Sequence, residues 1–419
     1  MEDLYRIYKD YPQVFTDTRK LVNNGIYFAL KGPSFDGNKF ALEAIQNGAA
    51  WAVVDDESLK HEKNCFYVQD VLTTLQTLAN YHRKHLSIPF IGITGSNGKT
   101  TTKELIAQVL SKKFNLSYTQ GNLNNHIGVP LSLLRVTEEH ELAIIEMGAN
   151  HVGEIAFLSS IAEPNFGIIT NIGEAHLEGF GGIQGVIKGK SELYDFLRLN
   201  HGKAIVNGRD DLLMKQSKGM ERSTYGTEEG DYPYQDLKGA YQAAIKVEGI
   251  EIHSNLIGKY NNTNLGAAMA FGLEFGVALE SIKEALEQYN PGNHRSQFLE
   301  TEKNRIILDA YNANPSSMRN AIEEFAGSES ENPLMILGDM FELGEKSKEK
   351  HQEIYDLAKS FGIKTFWVGS NFFGLEGDGC FFKDRIELEN EIKENPIQNQ
   401  TLLIKGSRGM ALEKLLDLL

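Results

Sequence analysis

Thr94-Gly95-Ser96-Asn97-Gly98-Lys99-Thr100-Thr101 follows the apolar run Pro89-Phe90-Ile91-Gly92-Ile93. That order predicts a buried strand, a tight glycine loop and the start of a helix. Such a loop turns several backbone N–H groups onto one anion, and the helix N-terminus adds its dipole. Lys99 has the reach for terminal phosphates, and the Thr100 hydroxyl suits Mg²⁺. The chemistry indicated is binding of a nucleoside triphosphate. The spacing is compressed: only two residues separate Gly95 from Gly98, where the common phosphate loop has four between its first glycine and the Gly-Lys pair. The plain alternative is a turn that merely caps a helix.

Other polar groups stand just after other apolar runs. Glu146 ends Leu142-Ala143-Ile144-Ile145, and a carboxylate beside a phosphate loop suits Mg²⁺, directly or through water. A solvated strand end is the competing reading. His176, in Asn171-Ile172-Gly173-Glu174-Ala175-His176, suits a second metal ion, although a lone histidine is more often structural. Lys188 and Lys190, in Gly185-Val186-Ile187-Lys188-Gly189-Lys190-Ser191-Glu192-Leu193, read most simply as a solvated helix face. A lysine near metals has another option: reaction with CO₂ gives a carbamate, an anionic oxygen ligand in place of a cation. The stretch from Thr119 to Pro130 carries Asn122, Asn124 and Asn125, amides that hydrogen-bond a polar ligand or simply build turns. Asp309-Ala310-Tyr311-Asn312-Ala313-Asn314-Pro315-Ser316-Ser317 and Lys405-Gly406-Ser407-Arg408-Gly409 are polar loops after strands, placed where a facing unit's ligand could be gripped.

These residues need a scaffold, and the chain of 419 residues is long enough for about three domains. Residues 1–84 read as a small α/β unit, with a strand after Asn24-Gly25, a helix from Phe40 to Gly48 and the strand Trp51–Val54. Residues 85–298 alternate apolar runs at 90–94, 142–146, 166–170 and 203–207 with helical segments, the pattern of a mostly parallel sheet with crossover helices. In such sheets ligands bind beyond the strand C-termini, which is where the chemical residues fall. Residues 299–419 repeat the theme with strands at 305–309, 334–338, 365–369 and 402–405, and the turn Asn290-Pro291-Gly292-Asn293 could hold a hinge. Residues 208–256 are weakly patterned.

A hydrophobic content of 41% and a charged content of 24% fit a soluble globular chain. No apolar run approaches the roughly 20 residues of a membrane span, and Met1-Glu2-Asp3-Leu4-Tyr5 lacks the features of a signal peptide. A net charge of −15 argues against non-specific nucleic-acid binding. Cys65 and Cys380 are far apart and not in metal-ligand spacing, which fits free thiols and a cytoplasmic location.

From about Thr16 to the C-terminus these segments resemble the Mur ligase family, the ATP-dependent ligases of peptidoglycan precursor synthesis. The compressed loop matches the family's Thr-Gly-x-x-Gly-Lys-Thr-Thr. Asp309-Ala310-Tyr311-Asn312-Ala313-Asn314-Pro315 and Gly338-Asp339-Met340-Phe341-Glu342-Leu343-Gly344 are most similar to the branch that joins D-alanyl-D-alanine to UDP-N-acetylmuramoyl tripeptide. The Asp-Asn-Pro-Arg motif of the diaminopimelate-adding branch is missing from the third unit. The resemblance implies an α/β protein of three domains. A small N-terminal domain (1–84) would bind the UDP-sugar, a central P-loop domain (85–298) ATP, and a C-terminal Rossmann-like domain (299–419) the incoming amine.

The resemblance also implies roles for individual residues. Gly95, Ser96, Asn97, Gly98, Lys99, Thr100 and Thr101 would hold the ATP phosphates. Thr100, Glu146, His176 and a carbamylated Lys190 would hold two Mg²⁺ ions, with Lys99, Lys190 and His176 acting in catalysis. Asn261 and Asn264 match the adenine side, Arg295 a residue near the hinge, and Asn312 and Asn314 third-domain residues that reach the nucleotide. Thr18, Arg19 and Lys31 look like the UDP-sugar loops; Asn122, Asn124 and Asn125 face substrate, and Lys405, Ser407 and Arg408 the amine side. The implied protein is a cytoplasmic monomer. Three departures from the family pattern stand out: Tyr260 replaces a histidine, Ser191 replaces a glycine, and the first domain is short. The nearest rivals are sister ligases for diaminopimelate or lysine and folylpolyglutamate synthetase. A P-loop switch using ATP for conformational change is a rival of another class.

Overall fold

Three mainly parallel sheets follow one another in this computed structural model, which describes residues 1–237, 242–291, 297–328 and 330–419. The first has the strand order Val14–Phe15, Ile26–Phe28, Trp51–Val54, Cys65–Tyr67, with every pairing parallel. The second has six strands in the order Glu221–Tyr225, Lys203–Asn207, Phe166–Ile169, Phe90–Thr94, Leu142–Glu146, Leu116–Tyr118, again all parallel. The third runs Gln297–Glu300, Arg305–Asp309, Thr401–Lys405, Pro333–Gly338, Lys364–Val368, Cys380–Phe382, and only its first pairing is antiparallel.

The central strands are apolar up to their C-terminal residues because helices cover both faces of the sheet. Phe90–Thr94 and Leu142–Glu146 are buried at every position. Successive side chains alternate between two layers. Ile91, Ile93, Leu142, Ile144 and Ile168 join Leu105, Val109 and Phe271 in one core, while Phe90, Ala143, Ile145 and Ile169 join Leu193 and Leu197 in the other. The first core is closed by helices Lys99–Leu110 and Asn261–Glu274, which pack together. The second is closed partly by helix Ile183–Leu199. Phe90–Thr94 has neighbours on both sides, and its loop opens where the strand order reverses, the place for a ligand in an open sheet.

Three features go beyond the sequence reading. Residues 208–256, which carried no strand expectation, hold the edge strand Glu221–Tyr225 and part of a small antiparallel sheet of Gln235–Asp236, Gln242–Val247 and Ile250–Ile257. Helix Val71–Lys84, grouped with the first unit, packs on helices Gly128–Leu133 and Glu154–Ala162 of the second. There the Arg83 guanidinium donates to the carbonyls of Ala162 (2.9 Å) and Glu163 (2.7 Å), so this helix fastens the two units together. Arg295, and Gly292 and Asn293 of the expected hinge turn, lie outside the described residues.

Candidate active site

The compressed loop folds as its glycines require. Gly95 has φ +148°, and a Cβ there would stand 2.0 Å from Thr170 Oγ1. Gly98 has φ +76° and precedes helix Lys99–Leu110; both conformations favour glycine. The loop is braced from the neighbouring strand end. Thr170 Oγ1 donates to Asn97 O (2.6 Å), Asn97 N donates to Asn171 Oδ1 (3.0 Å), and Ser96 Oγ donates to Gly173 O (3.0 Å). Lys99 Nζ donates to the loop carbonyls of Gly95 (2.7 Å) and Ser96 (3.2 Å).

This loop forms one wall of a cleft of about 940 Å³. Ser96, Asn97, Gly98, Lys99, Thr100 and Thr101 line it, together with Asn122, Asn124, Asn125, Glu146 and His176. Asn261 and Asn264 line it from the helix Asn261–Glu274, and Asn312, Asn314 and Lys405 from the third unit. Gly95, Lys190, Ser407, Arg408, Thr18, Arg19 and Lys31 are not among its lining residues.

Glu146 is a buried carboxylate in the cleft, with its side chain 1% exposed. Oε1 accepts from Thr100 Oγ1 (3.1 Å) and from Asn124 Nδ2 (2.8 Å). Oε2 is buried and has no hydrogen-bond partner. A buried carboxylate oxygen left without a donor, beside a threonine hydroxyl at a helix start, is a donor set that fits a hard divalent cation such as Mg²⁺. No group of three or more His, Cys, Asp and Glu side chains converges among the described residues, at Glu146 included. A Mg²⁺ ion commonly uses only one or two protein carboxylates and completes its shell with water and phosphate oxygens.

Lys190 is fully buried on helix Ile183–Leu199, contrary to the simple reading of a solvated face. Its Nζ donates to Ala149 O (3.2 Å) and lies 5.3 Å from the centroid of the Phe180 ring. Burial, with the Lys99 ammonium next in effect, holds its pKa well below the usual lysine value. A neutral amine is the form that attacks CO₂.

His176 occupies a left-handed turn, φ +53°, at the start of the short helix Leu177–Phe180. Its Nδ1 pairs with the carboxylate of Glu342 from the third unit, and that contact, more than opposing burial, lowers the Glu342 pKa. Two more contacts cross the same seam. Asn314 Nδ2 donates to Asn97 Oδ1 (2.7 Å), and Glu174 N donates to Ser316 Oγ (3.0 Å). Asn314 also caps helix Pro315–Ala326 through a reciprocal pair with Ser317.

At the start of helix Asn261–Glu274, Thr102 Oγ1 donates to Asn264 Oδ1 (3.0 Å) and Asn264 Nδ2 to Asn261 Oδ1 (2.7 Å). Tyr260 also lines the cleft. In the third unit Lys405 pairs with Asp309, Ser407 Oγ accepts from Phe341 N (3.0 Å), and the Arg408 guanidinium lies 5.2 Å from the Tyr311 ring centroid. In the first unit Asp17 caps the turn Thr18–Lys20 and receives two hydrogen bonds from the Arg19 guanidinium at 2.9 Å, while Lys31 pairs with Asp55 at 2.8 Å. These first-unit groups stand apart from the cleft lining.

Two participants carried no role in the sequence reading. Glu342 lies in a segment quoted for the family resemblance, but its pairing with His176 joins residues 166 positions apart and leaves no local signal. Lys103 sits one turn after Lys99 and reads as another exposed helical lysine, yet it is buried against Glu146.

Comparison with known proteins adds to this geometry. The family profile "Mur ligase middle domain" matches residues 93–272, and "Mur ligase, glutamate ligase domain" matches residues 294–408. The UDP-N-acetylmuramoyl-tripeptide–D-alanyl-D-alanine ligase of Bacillus subtilis is 36% identical over 421 residues, covering 96% of this chain and 92% of the relative. The crystal structure of MurF from Acinetobacter baumannii superposes with a TM-score of 0.85 at 34% identity, covering 97% of this chain and 92% of that one. The MurF ligase of Thermotoga maritima, solved in complex with ADP, gives a TM-score of 0.87 at 25% identity and covers 100% of this chain and 98% of that one.

Proposed function

Because this chain belongs to the Mur ligase family, we propose that it joins D-alanyl-D-alanine to UDP-N-acetylmuramoyl tripeptide, with ATP as the energy source. The observation that carries the reading is the seam itself: Asn314 of the third unit hydrogen-bonds Asn97 of the phosphate loop across the cleft. Nucleotide and incoming amine can thus meet between two units. The alignment with D-alanyl-D-alanine-adding relatives over 96% of the chain supports the choice of acceptor.

In the proposed reaction the terminal carboxylate of the tripeptide attacks the γ-phosphorus of ATP. ADP leaves, and a carboxylic–phosphoric anhydride forms. The neutral amine of D-alanyl-D-alanine then attacks the acyl carbon, the tetrahedral intermediate expels phosphate, and an amide remains. Lys99 and the backbone N–H groups of residues 95–101 stabilise charge on the transferring group, which is chiefly electrostatic work. Glu146 and Thr100 would hold Mg²⁺, which when bound offsets charge on the phosphate oxygens. Lys190, whose lowered pKa favours the neutral amine, would react with CO₂, losing one proton and gaining a carboxylate; that carbamate and His176 would serve a second ion. Lys405, Ser407 and Arg408 would face the amine, and Thr18, Arg19 and Lys31 the UDP-sugar. The boundaries expected at 84/85 and 298/299 would divide the chain by these three tasks, but the second cuts the strand Gln297–Glu300, which pairs with Arg305–Asp309 of the third sheet, so that unit begins at or before residue 297. Glu342 and Asn314 hold the third unit over the cleft and keep water from the anhydride.

The protein would act as a monomer, and the use of ATP fits a cytoplasmic location. The test is phosphate release from purified protein with ATP, Mg²⁺ and the tripeptide nucleotide, offered D-alanyl-D-alanine, lysine or diaminopimelate in turn. Release that depends on D-alanyl-D-alanine, with the matching product mass, supports the proposal. Release with another amine points to a sister ligase, and release with neither co-substrate points to an ATPase switch.

A further inference from the structure

Lys103 is a buried cation whose charge is met only by two longer ion pairs. Its side chain is 1% exposed, and its Nζ has no hydrogen-bond acceptor. The nearest charges are Glu146 Oε2 at 3.6 Å and Glu104 Oε1 at 3.9 Å, and the Tyr118 ring centroid lies 5.9 Å away. Glu104 is already engaged by Tyr289, whose hydroxyl donates to Oε2 at 2.6 Å. The helix sets this arrangement: Lys103 stands one turn on from both Lys99 and Thr100, so the helix that presents the loop lysine to the cleft carries a second lysine beneath Glu146. Burying an ammonium without hydrogen bonds is unfavourable unless its charge serves a nearby anion. Here that anion is the carboxylate whose other oxygen is fixed by Thr100 and Asn124.

We propose that Lys103 is a positioning residue whose buried ammonium neutralises Glu146, so that a divalent cation settles at Glu146 only when the nucleotide's phosphates arrive with it. The proposal rests on Glu146 being the metal-side carboxylate. The pair Lys103–Glu146 has no net charge, so a bare cation meets one carboxylate and one nearby repelling cation. ATP brings several negative charges and reverses that balance. The ion is thereby kept off the nucleotide-free protein and enters as the metal–nucleotide complex.

The experiment is titration of nucleotide-free protein with Mn²⁺, read by the loss of the free-ion paramagnetic resonance signal, for wild type, Lys103→Met, Lys103→Arg and Glu146→Gln. Lys103→Met is expected to bind Mn²⁺ at least about tenfold more tightly than wild type, from removal of a unit charge a few ångströms from the ion. Lys103→Arg should stay near wild type because it keeps the charge. A purely structural role predicts weaker binding in Lys103→Met and cannot produce a gain. Should Lys103→Met fail to fold, Lys103→Gln, which keeps a donor near Oε2 without the charge, carries the same expectation. Equal or weaker binding in the neutral variants overturns the proposal. If Lys103→Met gains a site that Glu146→Gln in the same background does not remove, the metal reading of Glu146 itself has failed, and the proposal with it.

Discussion

Asn314 has two separable tasks, and one substitution divides them. Its Oδ1 accepts from Ser317 N at 2.9 Å and caps a helix, while its Nδ2 donates to Asn97 Oδ1 at 2.7 Å across the cleft. Asn314→Asp keeps a good N-cap, since Asp and Asn are nearly equivalent there. It loses the cross-cleft donor and turns a carboxylate oxygen toward the Asn97 carbonyl. Losing a hydrogen bond of ordinary strength costs about 1 kcal/mol, and leaving a mostly buried acceptor unpaired brings the total to about 2–3 kcal/mol. That corresponds to a fall of roughly 30- to 150-fold in kcat/KM for ATP if the contact belongs to the productive state. Both variants lose the seam contact, so the melting temperatures differ only by the cap: Asn314→Ala, which also loses about 1 kcal/mol of capping, should melt about 2–4 °C below Asn314→Asp. Steady-state phosphate release and calorimetry on the two variants measure both effects. An Asn314→Asp protein with unchanged kcat/KM would show that the seam plays no part in turnover, and the reasoning from it would fail.

Lys99→Ala should lower kcat by at least about 10³-fold with the fold intact by circular dichroism, as expected for removing a preorganised cation from the transferring phosphate. Thr100→Val, which removes the hydroxyl beside Glu146, should raise the Mg²⁺ concentration needed for half-maximal rate by about tenfold in a metal titration. Protein equilibrated with ¹³C-bicarbonate should give a carbamate carbon signal that Lys190→Arg lacks. His82 supplies a pH test. Burial lowers its pKa below the usual histidine value, while its ring nitrogens contact Val136 O (2.7 Å) and the Tyr5 hydroxyl (3.2 Å). A histidine held neutral in the folded state stabilises fully above the unfolded pKa near 6.5, and that contribution is lost as pH falls through the lower folded value. The melting temperature should therefore decline from pH 7 to pH 5, and less steeply in His82→Gln.

The parallel sheets were legible because buried strands leave apolar runs, as at Phe90–Thr94, Leu142–Glu146 and Arg305–Asp309. The loop at residues 95–101 was legible because its chemistry is local in sequence. Glu221–Tyr225 escaped because an edge strand carrying polar residues lacks that run. Lys190 and Lys103 escaped as buried groups because lysine on a helix reads as solvated; what surrounds them is the Phe180 ring and Ala149 O in one case and Glu146 in the other, contacts that no helical spacing shows. The pairing of Glu342 with His176, and of Asn314 with Asn97, depends on how the third unit sits over the second, which no local pattern encodes. The family resemblance compensated in part, since it singled out Asn314 and His176 before any contact was visible.

The central claim is that the tripeptide carboxylate is activated by phosphorylation in this cleft. Incubating the protein with ATP, Mg²⁺, D-alanyl-D-alanine and UDP-N-acetylmuramoyl tripeptide labelled with ¹⁸O in its terminal carboxylate tests it directly. The account predicts one ¹⁸O in each released phosphate, because the bridging oxygen of the anhydride leaves with phosphorus; phosphate free of label alongside amide product would contradict it.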